Sequence, residues 1–189
     1  MTLLEFLAPS YLQMLGALSG WLEKAEKSDG ADALTGARLA DDMFPLATQV
    51  RFACVQALEG MHRLRDEEFP PQVAALLDEG RMAGDAPGTL ADARARLAET
   101  LDAVRDLASG PVPDDPDRPV AHAIPAGMVF DLTAGQYVRD WALPQFYFHV
   151  MTAYAILRAN DVELGKADYV AHMFAYLRPG TMPGESETA

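Results

Sequence analysis

Pro144-Gln145-Phe146-Tyr147-Phe148-His149-Val150-Met151-Thr152-Ala153-Tyr154-Ala155-Ile156-Leu157-Arg158 carries a proline suited to a first helical turn, an apolar stripe at helical spacing, and two polar side chains, Gln145 and His149, four residues apart. Residues at i and i+4 lie on one face of a helix. Both side chains therefore face whatever this helix packs against. Two groups able to hold a metal ion, pointing into a bundle, make the best candidate site in the chain.

Working outward, the same 3.6-residue period recurs. Thr2 and Glu5 have capping-box spacing for a short opening turn, and Pro9 suits the start of a long helix with Tyr11, Leu15, Leu18, Leu22 and Ala25 on its stripe. A second helical region is expected from Leu34, restarting at Pro45, with Met43, Leu46, Val50, Ala53, Ala57, Leu58 and Met61 inward. Asp41 and Asp42 precede its first full turn, where negative charge complements the helix dipole, so capping is their expected role. A short helical piece spans Gln72–Asp78. Thr89 and Asp92 open a third long helix with Leu90, Ala93, Leu97, Leu101 and Val104 inward.

Ser109–Pro119 is rich in Pro, Asp and Gly and reads as a surface loop. Val120–Leu132 alternates around Pro125-Ala126-Gly127, which predicts a small two-stranded excursion. Thr133–Leu143 is expected as a short helix, Pro144–Ala159 as the fourth long one, and Asp168–Leu177 as a closing helix. Four long amphipathic helices with one long crossover predict an all-α four-helix bundle, with a small β-hairpin before the last long helix. One domain over 1–178 and a disordered tail over 179–189 complete the organisation.

The 189 residues suffice for one full core, and half are hydrophobic. Against 28 Asp and Glu stand 15 Lys and Arg, a net charge of −13. Such a field repels phosphate backbones, so no nucleic-acid partner is expected. No apolar run approaches the roughly 18–20 residues of a membrane span, and Met1–Leu7 lacks a signal peptide's basic start. The expectation is a soluble, cytoplasmic protein without a membrane partner. The single cysteine, Cys54, lies among Phe52, Ala53 and Val55 and reads as a buried, inert thiol. Gly165-Lys166 lacks the rest of a phosphate loop, so Lys166 is expected at the end of the preceding helix. His62, His122 and His172 read as surface or packing histidines, and Arg139-Asp140 as a solvated pair.

Leu39-Ala40-Asp41-Asp42-Met43-Phe44-Pro45-Leu46 with Gln49, Leu143–His149, Thr152–Arg158 and Gly165-Lys166-Ala167-Asp168-Tyr169 together resemble an uncharacterised bacterial family. It is the domain-of-unknown-function family numbered 1993, within the DinB/YfiT-like superfamily. The resemblance spans nearly the whole chain. It implies a DinB-like bundle, often a homodimer, related to metal-dependent enzymes that include thiol transferases. In the superfamily three histidines bind a divalent metal, one on the second helix and two on the last long helix. Those positions fall here on Gln49, Gln145 and His149, and Arg158 also fits the superfamily spacing. Two of the three imidazoles are thus amides, which are weak ligands for Zn or Ni.

Two readings follow. In one, a former or working metal-dependent enzyme holds a divalent metal or small molecule at Gln49, Gln145 and His149, completed by Asp42 or water. In the other, a non-catalytic, dimeric, small-molecule-binding or interaction protein uses Gln49, Gln145, His149, Thr152 and Tyr154 as a hydrogen-bonded polar cluster. Buried polar groups demand such partners in either case.

Overall fold

The computed structural model describes residues 2–28, 30–110, 113–124 and 127–182. Helix α1 (Leu3–Ala25) is followed by a 3₁₀ segment (Ala31–Gly36), α2 (Leu46–Arg65), α3 (Pro71–Met82) and α4 (Leu90–Ala108). Strands β1 (Pro119–Ala123) and β2 (Val129–Thr133) come next, then α5 (Ala134–Gln136), a π-turn (Tyr137–Ala142) and α6 (Leu143–Ala159). A short α7 (Lys166–Tyr169) and a 3₁₀ segment (Ala171–Tyr176) close the chain.

The bundle consists of α1, α2, α4 and α6. Both α1 and α2 pack against α4 and α6. The expected stripes fill the space between them: Tyr11, Leu15, Leu18, Leu22 and Ala25 from α1 are wholly buried, as are Val50, Ala53, Ala57, Leu58 and Met61 from α2. Capping boxes open α1 and α4. Glu5 N–H donates to Thr2 Oγ1 at 3.0 Å and Thr2 N–H to Glu5 Oε2 at 2.8 Å. Asp92 N–H donates to Thr89 Oγ1 at 3.1 Å and Thr89 N–H to Asp92 Oδ2 at 2.9 Å. The short α3 is tied to its neighbours by Glu79, which accepts from Arg51 Nε of α2 (3.2 Å) and Arg96 Nη2 of α4 (2.6 Å).

The antiparallel hairpin pairs Pro119 with Thr133 through to Ala123 with Val129. Pro125 and Ala126 of the expected turn lie outside the described residues, as does 183–189 of the expected tail.

Several boundaries differ from the sequence reading. The helical region expected from Leu34 is only a 3₁₀ segment that ends at Gly36, and Met43 lies half-buried in the following turn rather than on the stripe of α2. Pro9 lies inside α1 rather than at its start. A proline there removes one intrahelical donor, but Leu7, Ala8 and Tyr11 are buried around it and hold the helix through. Pro144 lies in the first turn of α6, as expected, but no gap separates α6 from the turn before it. Helical structure runs without interruption from Ala134 to Ala159. Leu143 N–H reaches back five residues to the Val138 carbonyl. That wider turn relieves the clash a proline ring makes with the carbonyl four residues earlier. The closing helix breaks at Val170 into a four-residue α7 and the 3₁₀ segment. Finally, Pro45 occupies the N-cap of α2 and no side chain caps it. Asp41 and Asp42 sit exposed in the preceding turn, so neither caps as expected.

Candidate functional site at His149

The seam between α2 and α6 joins residues one hundred positions apart in sequence. His149 Nδ1 lies 2.9 Å from Gln49 Oε1. Gln49 Nε2 in turn donates to the Phe44 carbonyl at 3.1 Å. These two bonds orient the amide, because only its NH₂ end can donate to a carbonyl. The oxygen end can only accept, so His149 carries its proton on Nδ1. Nε2 is left with a lone pair and accepts no hydrogen bond from the described residues. Burial pushes the imidazole down to about 4, so it is neutral at physiological pH.

Aromatic rings surround it. Phe52 and Phe148 meet the imidazole edge-to-face at 5.4 and 5.3 Å, and Phe44 packs on Phe52 at 5.6 Å. Phe44 and Phe148 are 51% and 56% exposed, while His149 is only 9% exposed. Two large apolar side chains thus stand open to solvent around one nearly buried imidazole. Met151, one turn from Phe148, extends the exposed apolar surface.

The remaining sequence candidates do not join this pair. Gln145 is half-buried and makes no hydrogen bond among the described residues. Thr152 Oγ1 donates to the Phe148 carbonyl of its own helix at 2.7 Å. Tyr154 lies on another face of α6, edge-to-face with Trp21 (5.2 Å) and Tyr169 (6.4 Å). Five residues past His149 is about 500° around an α-helix, which places Tyr154 well off that face. Asp42 stays in the exposed turn, and Arg158 is exposed. The expected five-membered polar cluster is therefore, among the described residues, a Gln49–His149 pair. Phe148 is part of the exposed collar.

The donor set bears directly on the metal that the superfamily resemblance implies. Both ends of Gln49 are engaged, one by His149 and one by the backbone. Among the described residues no group of three His, Cys, Asp or Glu is placed to hold a metal ion. A lone imidazole nitrogen beside a half-buried amide does not fit the three- or four-ligand site that Zn or Ni requires.

The chain matches the model of a domain of unknown function, DUF1993, over residues 3–170. The chain belongs to this family. It is also similar to the crystal structure of a DinB family member protein from Shewanella denitrificans, with 30% identity, 96% of each chain covered and a TM-score of 0.69. No curated protein matches it. The DUF1993 chain is thus a DinB-like helical bundle. Among its described residues no helix is long and apolar enough to cross a membrane.

Proposed function

We propose that this DUF1993 protein is a non-catalytic, small-molecule-binding bundle whose ligand meets His149 Nε2 inside the collar of Phe44, Phe52 and Phe148. The carrying observation is the fixed tautomer: Gln49 accepts from Nδ1–H and so leaves Nε2 as a neutral acceptor beside the aromatic collar. A neutral imidazole has no charge with which to hold an anion. It suits a molecule with an apolar body and one N–H, O–H or S–H donor. A homodimer and a cytoplasmic location belong to the same reading. The exposed Met173, Phe174 and Tyr176 of the closing segment support self-association.

One observation favours the second reading, a metal-dependent enzyme with a reduced ligand set. Metal-binding histidines characteristically give their other N–H to a carbonyl or carboxylate, as His149 does to Gln49. Metal content of the untagged protein after incubation with zinc, nickel and manganese decides between them, with Gln49→Ala and His149→Ala alongside. The binding reading expects no retained metal in any of the three. Near-stoichiometric metal that disappears in both variants would overturn it and justify a screen for thiol transfer.

A further inference from the structure

A second set of polar groups lies under the hairpin, away from His149. Gln49 and Glu59 are ten residues apart on α2, about 15 Å along its axis. Strand β1 lays His122 against Tyr137 and Trp141, with ring centroids at 5.4 and 4.3 Å. Both ring nitrogens of His122, the hydroxyls of Tyr11 and Tyr137, and Trp141 Nε1 are shut off from solvent and have no hydrogen-bond partner among the described residues. Tyr11 and Tyr137 are wholly buried and His122 nearly so. Glu59, partly exposed on α2, borders both tyrosines electrostatically. A Cβ on the adjacent Gly60 would stand 2.1 Å from the Tyr11 hydroxyl oxygen. The glycine thus lets that phenol end directly on α2.

Buried polar atoms are nearly always paired. Several unpaired at one place, drawn from α1, β1 and the π-turn, are not accounted for by packing. We propose that Tyr11, His122, Tyr137 and Trp141, with Glu59 at the edge, form a second binding site that takes a small uncharged hydroxyl compound, either ordered water or a compact polyol. The groups set the class. His122 and the two phenols each need a partner that can both donate and accept, and the indole needs an acceptor. A hydroxyl serves all of them, whereas an apolar guest serves none. An ion finds no counter-charge among Tyr11, His122, Tyr137 and Trp141. Burial keeps both phenols protonated, and burial together with Arg63 keeps His122 neutral. Burial likewise pushes Glu59 up to about 7 although Arg63 opposes it. The Arg63 guanidinium itself stacks on Phe69 at 4.7 Å.

The chain has two tryptophans, so the indole N–H resonances of the ¹⁵N-labelled full-length protein report on the site. Trp21 Nε1–H is bonded to the Asp168 carbonyl at 3.3 Å and serves as the control. If water is the guest, the Trp141 indole shows nuclear Overhauser transfer from long-lived water, the Trp21 indole shows none, and Tyr137→Phe abolishes the effect. If the site takes a polyol, titration with glycerol moves the Trp141 resonance saturably and leaves Trp21 in place. Neither transfer nor a saturable shift at Trp141 overturns the proposal. So does a response that Tyr137→Phe leaves unchanged.

Discussion

Gln49 decides what His149 can do. Its amide fixes the imidazole tautomer, and the imidazole in turn holds the amide against the Phe44 carbonyl. Gln49→Ala leaves a nearly buried N–H without its acceptor and should cost roughly 1–3 kcal/mol in urea unfolding. Gln49→Glu should raise the His149 pKa from about 4, because a carboxylate at the same place favours the imidazolium. An NMR titration of the His149 ring carbons checks this.

The low pKa also makes His149 a pH-dependent element of stability. The unfolded chain takes up a proton near pH 6.5 and the folded chain only near 4. The unfolded state therefore binds more protons between those values, and stability falls as pH drops from 6.5 towards 4, by up to roughly 3 kcal/mol. Glu59 works in the opposite direction. Burial raises it from 4.5 to about 7, so its contribution is complete below 4.5 and is lost as pH rises towards 7. Glu59→Gln should remove that opposing slope and steepen the gain in stability between pH 5 and 7, read from urea midpoints across pH. Cys54 is wholly buried, and its thiol is pushed up to about 12 by burial. It should fail to react with a disulfide reagent at neutral pH until the protein unfolds.

At the scale of the elements, the joint between the π-turn and α6 and the contact of α1 with α2 are the informative places. Because helical structure runs from Ala134 to Ala159, Pro144→Ala should keep or slightly raise the far-ultraviolet helical signal. Loss of helical signal would mean that the proline defines a boundary after all. Gly60→Ala sets a methyl 2.1 Å from the Tyr11 hydroxyl oxygen and 3.0 Å from two of its ring carbons. Overpacking of this kind costs about 1–3 kcal/mol. Tyr11→Phe removes the worst of the contacts, so the double variant should be more stable than the sum of the two single changes predicts. The helix starts at Thr2 and Thr89 were legible because a capping box is a local motif of four residues. The start of the last long helix at Pro144 was a reading of the same local kind, and the proline does lie in the first turn of α6. The unbroken join to the preceding π-turn was not legible, because it depends on an i+5 bond and a buried face.

For the whole molecule, the bundle is closed by latches distant in sequence. Lys24 Nζ binds Asp168 at 2.6 Å, and the Trp21 indole donates to the Asp168 carbonyl, which holds α7 on α1. Beyond α7 the closing segment leaves Met173, Phe174 and Tyr176 open to solvent. If these side chains form a homodimer contact, light scattering should give twice the chain mass, and Phe174→Asp with Tyr176→Asp should return the monomer without loss of helical signal.

The bundle was legible from local signals. Apolar spacing of three and four, two capping boxes and a loop rich in Pro, Asp and Gly are short-range signals, and their physical causes act within a turn or two of chain. The same signals put Gln145 and His149 on the inward face of their helix. Tertiary packing sets the rest: Gln49 and His149 pair with each other, Thr152 turns back on its own helix, Tyr154 faces Trp21, and His122 of the hairpin lies against Tyr137 and Trp141. Periodicity tells each helix which face to bury. The register of one helix on another depends on side chains a hundred residues apart filling the same space at crystal-like density, and no local pattern records that.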